Sequence, residues 1–332
     1  MKYSPGACLL SVAAALTVLA APAYAVPTLT AAGIARGFTL STIVSGLPGS
    51  TTSFAVLGSA VNSDGNIVLN DAGNNRNYVF RNINNQVAAD ALSSTPFSGF
   101  PSAFAFANGY VWSSSIGGGL ARLNNDGSIG QQFNNVTPQN GMWTNTATGH
   151  LISQSGGSLI DINVSNINSP TFTQVVSGFS ADGISVSPDG RFAYGSSGQI
   201  VDLTTRTFVS GGFGSVSGAD GMGVISSTNA DLDGDIIVNT TNGNIVLVDA
   251  VTRVQTIIAS GGGYGDYASP DRTTGTLMLS SSNALVRLGC GDSCGIGVVA
   301  PPPVGAVPEP ETYALMLAGL GVVGWMARRR RV

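Results

Sequence analysis

Four short motifs set an oxygen-bearing side chain at the entrance of an apolar, strand-like run: Asn140-Gly141, Asp182-Gly183, Asp220-Gly221 and Asp266. If the fold brings this amide and these three carboxylates together, they could hold a hard cation such as Ca2+. Clustered carboxylates need a positive charge to offset their repulsion. The same residue types also bond to backbone amides where a loop enters a strand, which requires no ligand.

A second oxygen-rich stretch places Asn229, Asp231, Asp233 and Asp235 at alternate positions around Gly234, similar to the opening of an EF-hand loop. The similarity then stops. The twelfth position is Thr240 where a bidentate Glu belongs, and Ile236-Ile237-Val238 reads as a strand where a helix is needed. An Asp233-Gly234 hairpin turn accounts for the stretch without metal. Nucleophilic catalysis finds no support: the single histidine, His150, lies between Gly149 and Leu151 in a turn, with no Ser or Cys partner motif. No catalytic residue is assigned.

The elements that must position these side chains are strands. Setting aside Lys2, the four terminal arginines, Glu309 and Glu311, the 14 basic and 18 acidic residues reduce to nine Arg and 16 Asp, a formal charge of −7. Such a surface repels phosphate backbones, which excludes nucleic acid as a partner. A body without Lys or Glu, rich in Gly, Ser, Asn, Thr and Val, predicts strands and tight turns with almost no helix.

One unit recurs about every 40 residues: an apolar strand, a Gly or Asp-Gly turn, a second strand, a Gly or Asn turn, a third, and a fourth ending in a Gly-rich loop. The clearest copy runs through Asp182 to Val186, the turn Ser187-Pro188-Asp189-Gly190, Arg191 to Gly195, Gln199 to Leu203 and Thr207 to Gly211. First strands start near Phe54, Ala103, Gly141, Asp182, Asp220 and Asp266, giving six units. Four-stranded units of this period resemble the blades of a β-propeller, which closes into a ring to hide its edges.

The last unit stops after its third strand at Leu288, and Phe38 to Gly46 matches the fourth-strand endings Gln174 to Gly178 and Thr207 to Gly211. The fold class expected is therefore all-β, a six-bladed β-propeller whose N-terminal strand completes the sixth blade. Seven blades, with a degenerate unit between Asn82 and Pro101, is the rival count. Ring closure would carry the four motifs of the first paragraph to one mouth of the central channel, where six-bladed propellers often bind a metal or substrate. Trp112, Trp143, Tyr110 and Phe106 are expected to pack between blades.

The ends of the chain read as addresses. Lys2, the apolar run Ala7 to Ala21 and Ala23-Tyr24-Ala25 form a signal peptide over residues 1–25. Cys8 leaves with it. In an exported protein the remaining pair, Cys290 and Cys294, predicts a small-loop disulfide. The propeller is expected over residues 26–295 and a Pro-rich linker over 296–306.

Residues 307–332 contain Pro308-Glu309-Pro310, the apolar run Tyr313 to Ala327, and Arg328, Arg329, Arg330 and Arg331. As a helix the run would cover roughly 22 Å of a hydrocarbon core of about 30 Å, with the arginines held on the cytoplasmic side. The order of these features resembles the PEP-CTERM sorting signal of exported bacterial proteins. The resemblance implies recognition and cleavage near the tripeptide by an exosortase-type membrane peptidase, in Gram-negative bacteria that make extracellular polysaccharide. It also implies a C-terminal hydrophobic helix that anchors the chain transiently in the inner membrane.

The function expected is thus that of an exported cell-envelope or extracellular-matrix protein, with the propeller as a binding or scaffolding module for a ligand such as exopolysaccharide. Two alternatives stand beside it: a metal-dependent hydrolase or lactonase of the six-bladed type using the channel-mouth acids, and a purely structural matrix protein.

Overall fold

The computed structural model describes residues 26–48, 56–97, 101–115 and 119–298. The signal peptide, Pro308 to Pro310, the run Tyr313 to Ala327 and Arg328 to Arg331 lie outside them.

Six sheets follow one another along the chain, antiparallel apart from one short parallel addition. Their innermost strands are Val56–Val61, Pro101–Ala107, Gln139–Asn145, Ile184–Val186, Ala219–Ser227 and Ala268–Asp271, in blades one to six. Each inner strand packs against the next, and that of blade six returns to that of blade one, so the ring is closed. The fold is an all-β, six-bladed β-propeller.

Blade four shows how the repeat builds itself. In its first turn, Asp189 Oδ1 accepts from the Ser187 hydroxyl at 2.5 Å and from the Arg191 amide at 3.0 Å, while Gly190 takes a φ of 75°. Only glycine adopts that conformation without a Cβ penalty. Phe192–Gly195, Ile200–Asp202 and Thr207–Phe208 then pair in sequence order.

The N-terminal strand closes the ring. Thr39–Ser45 is the fourth strand of blade six, with Thr39 opposite Gly289, Leu40 opposite Leu288 and Val44 opposite Leu285. Ile43 and Val44 are wholly buried there, each worth about 1.5–3 kcal/mol of burial.

The rival seventh blade does not form. Of the segment assigned to it, Gln86–Val87 adds in parallel to Val44 and Ser45, and Ser93–Pro96 is the fourth strand of blade one. The segment is too short to make four strands after supplying these two.

Trp112 and Trp143 are buried between blades, with Trp112 tilted on Phe133. Phe106 and Tyr110 are half-buried and each carries an arginine on its ring face, Arg272 and Arg122.

After blade six, Cys290 and Cys294 are joined by a disulfide, and Cys294–Ile296 forms a short strand on the inner strand of blade five, with Ile296 opposite Ile225. This strap carries Gly297 under the indole of Trp143, a position that a Cβ would fill.

One sequence expectation is corrected. No helix among the described residues is long and apolar enough to cross a membrane. The α-helix they contain, Ala31–Ala35, has five residues and is capped by the Thr30 hydroxyl. The expected transmembrane helix is thus not found among the described residues, and Tyr313 to Ala327, on which it rested, lies outside them.

Candidate functional site at the channel mouth

The Asp-Gly motifs sit where inner strands begin, and their glycines let neighbouring blades touch. The Gly141 amide donates to the Asp182 carbonyl at 2.6 Å. A Cβ at Gly183 would overlap the Asp220 carbonyl, and one at Gly221 would press on Tyr267 and Ala268. Blades three to six are thereby drawn together around the axis, which carries Asp182, Asp220 and Asp266 to one mouth.

The strand entrances are held by hydroxyls at the ends of the second strands. Ser196 Oγ accepts from the amides of Asp182 and Gly183, both at 3.1 Å. Ser280 Oγ accepts equivalently from Asp266 and Tyr267, at 2.9 and 2.7 Å. Asn239 adds bonds to the carbonyls of Tyr267 and Ser280. The carboxyls therefore project from a pinned backbone.

Their electrostatics follow from depth. Asp182 is exposed at the rim, Asp266 half-buried and Asp220 buried. Burial, then the charges of Asp266 and Asp182, push the Asp220 carboxyl up to about 10. Burial raises Asp266 to about 6, opposed by the hydrogen bond from Asp220 and assisted by Asp182. Partial burial raises Asp182 as well. Asp220 and Asp266 thus hold a proton between them at neutral pH. The Tyr264 phenol shares this field and is raised by burial and by all three acids.

Tyr267 closes the bottom. Its hydroxyl accepts from the Phe104 amide at 3.0 Å and donates to the Phe104 carbonyl, so the side chain reaches from blade six to blade two. In the other three motifs the corresponding residue is glycine, or Gly141 after Asn140. The mouth is therefore a cup with acidic walls and a phenol floor. Tyr267 was not singled out in the sequence, although the break in the Xaa-Gly pattern at Asp266-Tyr267 was its signal.

Asn140 meets this group through its backbone. It takes a φ of 57°, its carbonyl accepts from Ser114 Oγ at 2.9 Å, and the following amide reaches Asp182. Among the described residues no group of three or more His, Cys, Asp or Glu is disposed to hold a metal ion. The Asp220–Asp266 pair meets through a proton, an arrangement unlike a chelate.

The other oxygen-rich stretch folds on itself away from the channel. Asn229 Oδ1 accepts from Asp231 N, Asp233 Oδ1 from Ser227 N, and Asp235 Oδ1 from Ala250 N. One oxygen each of Asn229, Asp233 and Asp235 is thus engaged by a backbone amide, while Asp235 Oδ2 is buried without a hydrogen-bond partner. His150 opens a strand of blade three and its Nδ1 lies 2.7 Å from Asp161 Oδ1, half-buried.

Residues 306–331 match the PEP-CTERM protein-sorting motif, and residues 34–190 match a repeat of unknown function (DUF6923). No curated protein matches the sequence. Among solved structures, a gluconolactonase from Xanthomonas campestris is similar at 16% identity and a TM-score of 0.54, over 81% of this chain and 97% of that one. An auxiliary nutrient binding protein from Bacteroides thetaiotaomicron is similar at 11% identity and 0.53, over 76% of each. At such identities the likeness is one of fold. The chain carries a PEP-CTERM motif on a six-bladed propeller, and is an exported protein addressed to the cell envelope or the extracellular space. The motif implies an exosortase-type partner.

Proposed function

We propose that the propeller is a binding module whose ligand enters the acidic cup, and that the ligand is a hydroxyl-rich polymer such as the exopolysaccharide of the producing cell. The observation that carries this reading is the convergence of Asp182, Asp220 and Asp266, from three blades, above the floor made by Tyr267. A carboxyl pair sharing one proton both donates and accepts, which suits sugar hydroxyls. A wholly ionised cluster would only accept. The sorting motif supports a setting in which such a polymer is present.

The test is binding of the mature chain to purified exopolysaccharide by calorimetry, beside Asp220→Ala and Asp266→Ala. Saturable binding lost in both variants supports the reading. No binding by the unaltered chain overturns it in favour of a purely structural role.

A metal-dependent hydrolase or lactonase is the second reading, and it would draw on the same three carboxyls. It requires Ca2+ to displace the proton between Asp220 and Asp266. A Ca2+-dependent rise in melting temperature that Asp182→Ala and Asp220→Ala abolish would favour it. An unchanged melting temperature would remove it.

A further inference from the structure

The channel has a second end, and it differs in chemistry from the first. Where the inner strands finish, a cavity of about 70 Å3 is lined by Phe104, Phe106, Met142, Trp143, Pro270 and Arg272. Phe104, whose backbone bonds the Tyr267 hydroxyl, is part of this lining. The strap that follows the Cys290–Cys294 disulfide forms one wall, through Gly297 and Val298. A cavity of this size exceeds what one water needs and admits a branched alkyl group or the edge of a ring.

Arg272 is the polar feature of this end. Its guanidinium lies 3.7 Å over the Phe106 ring and donates from one nitrogen to the Asn62 carbonyl at 2.8 Å. Among the described residues no carboxylate lies within ion-pair distance of it: the adjacent Asp271 is wholly buried and pairs with Arg287 at 3.4 Å. Stacking fixes the plane of the guanidinium and leaves its remaining N–H groups for a planar, two-oxygen acceptor. An apolar recess beside an unpaired, oriented cation is complementary to one kind of molecule.

We propose that this end of the channel binds a small organic anion, an aromatic or branched aliphatic carboxylate, with its apolar body in the cavity and its carboxylate on Arg272. The site is independent of the acidic cup and of any ligand bound there.

Benzoate is the probe and benzyl alcohol its neutral comparator, titrated into the full mature chain by calorimetry, with the fluorescence of Trp143 as a second readout. Saturable binding of benzoate is expected, weaker by about tenfold for benzyl alcohol and for Arg272→Gln, because each lacks one half of a charge-assisted bond. Ala105→Leu, which fills the cavity, is expected to abolish binding while keeping a cooperative melting transition. Absence of saturable benzoate binding, or equal affinity in Arg272→Gln, overturns the proposal. So does binding that emerges only when the chain is cut after Val298, which would assign the cavity to the protein's own continuation.

Discussion

Asp220 and Asp266 stand at the entrances of adjacent blades and meet carboxyl to carboxyl, with one proton held between them. Each lies on a strand entrance that the neighbouring blade packs against, so neither can retreat to water without opening the ring.

This pair makes stability depend on pH. Asp220 titrates far above its ordinary value of 3.8 because burial and two neighbouring carboxylates disfavour its charge. Its contribution is therefore fully present below the unfolded value and is lost as pH rises toward about 10. Asp220→Asn keeps a donor toward Asp266 and cannot ionise. Its melting temperature is expected to exceed that of the unaltered protein at pH 8, by roughly 2–4 °C for each kcal/mol recovered, and to converge with it by about pH 4. A difference that grows toward acid would refute the assignment of the proton.

The glycines of the motifs are spacers between blades. Gly183→Ala sets a methyl group against the Asp220 carbonyl, and overpacking of this kind costs about 1–3 kcal/mol. Urea denaturation is expected to show that loss. An unchanged midpoint would mean that the blades have slack at the mouth.

The floor of the cup is a hydrogen-bonded span. Tyr267→Phe removes the hydroxyl that serves both the amide and the carbonyl of Phe104. The cost expected is about 1–3 kcal/mol for buried groups left without partners, again measurable by urea denaturation. Circular dichroism should report an intact fold.

The strap at the far end is tied by its disulfide. Replacing Cys290 and Cys294 together by Ser removes a loop closure worth about 2 kcal/mol. Thermal melting is expected to fall accordingly, and the Trp143 emission to shift as Gly297 leaves the indole. Emission identical to that of the unaltered chain would show that the strand Cys294–Ile296 holds without the bond.

The sequence by itself determined the repeat, the blade number and the closure of blade six by Thr39–Ser45, because strand alternation and turn chemistry are local and recur. It also set out the acidic motifs, since Asp182-Gly183 and Asp220-Gly221 recur at one place in the unit. Tertiary structure alone decided which of those side chains meet. Asp182, Asp220 and Asp266 come together because successive glycines let three blades close on the axis, whereas Asn140 turns into a left-handed backbone and contributes main-chain bonds. It likewise decided that Tyr267 reaches across from blade six to the Phe104 backbone of blade two and that Arg272 and Trp143 share a recess. Those residues lie far apart in the chain, and contacts across a ring depend on its radius and register, quantities that no local pattern encodes.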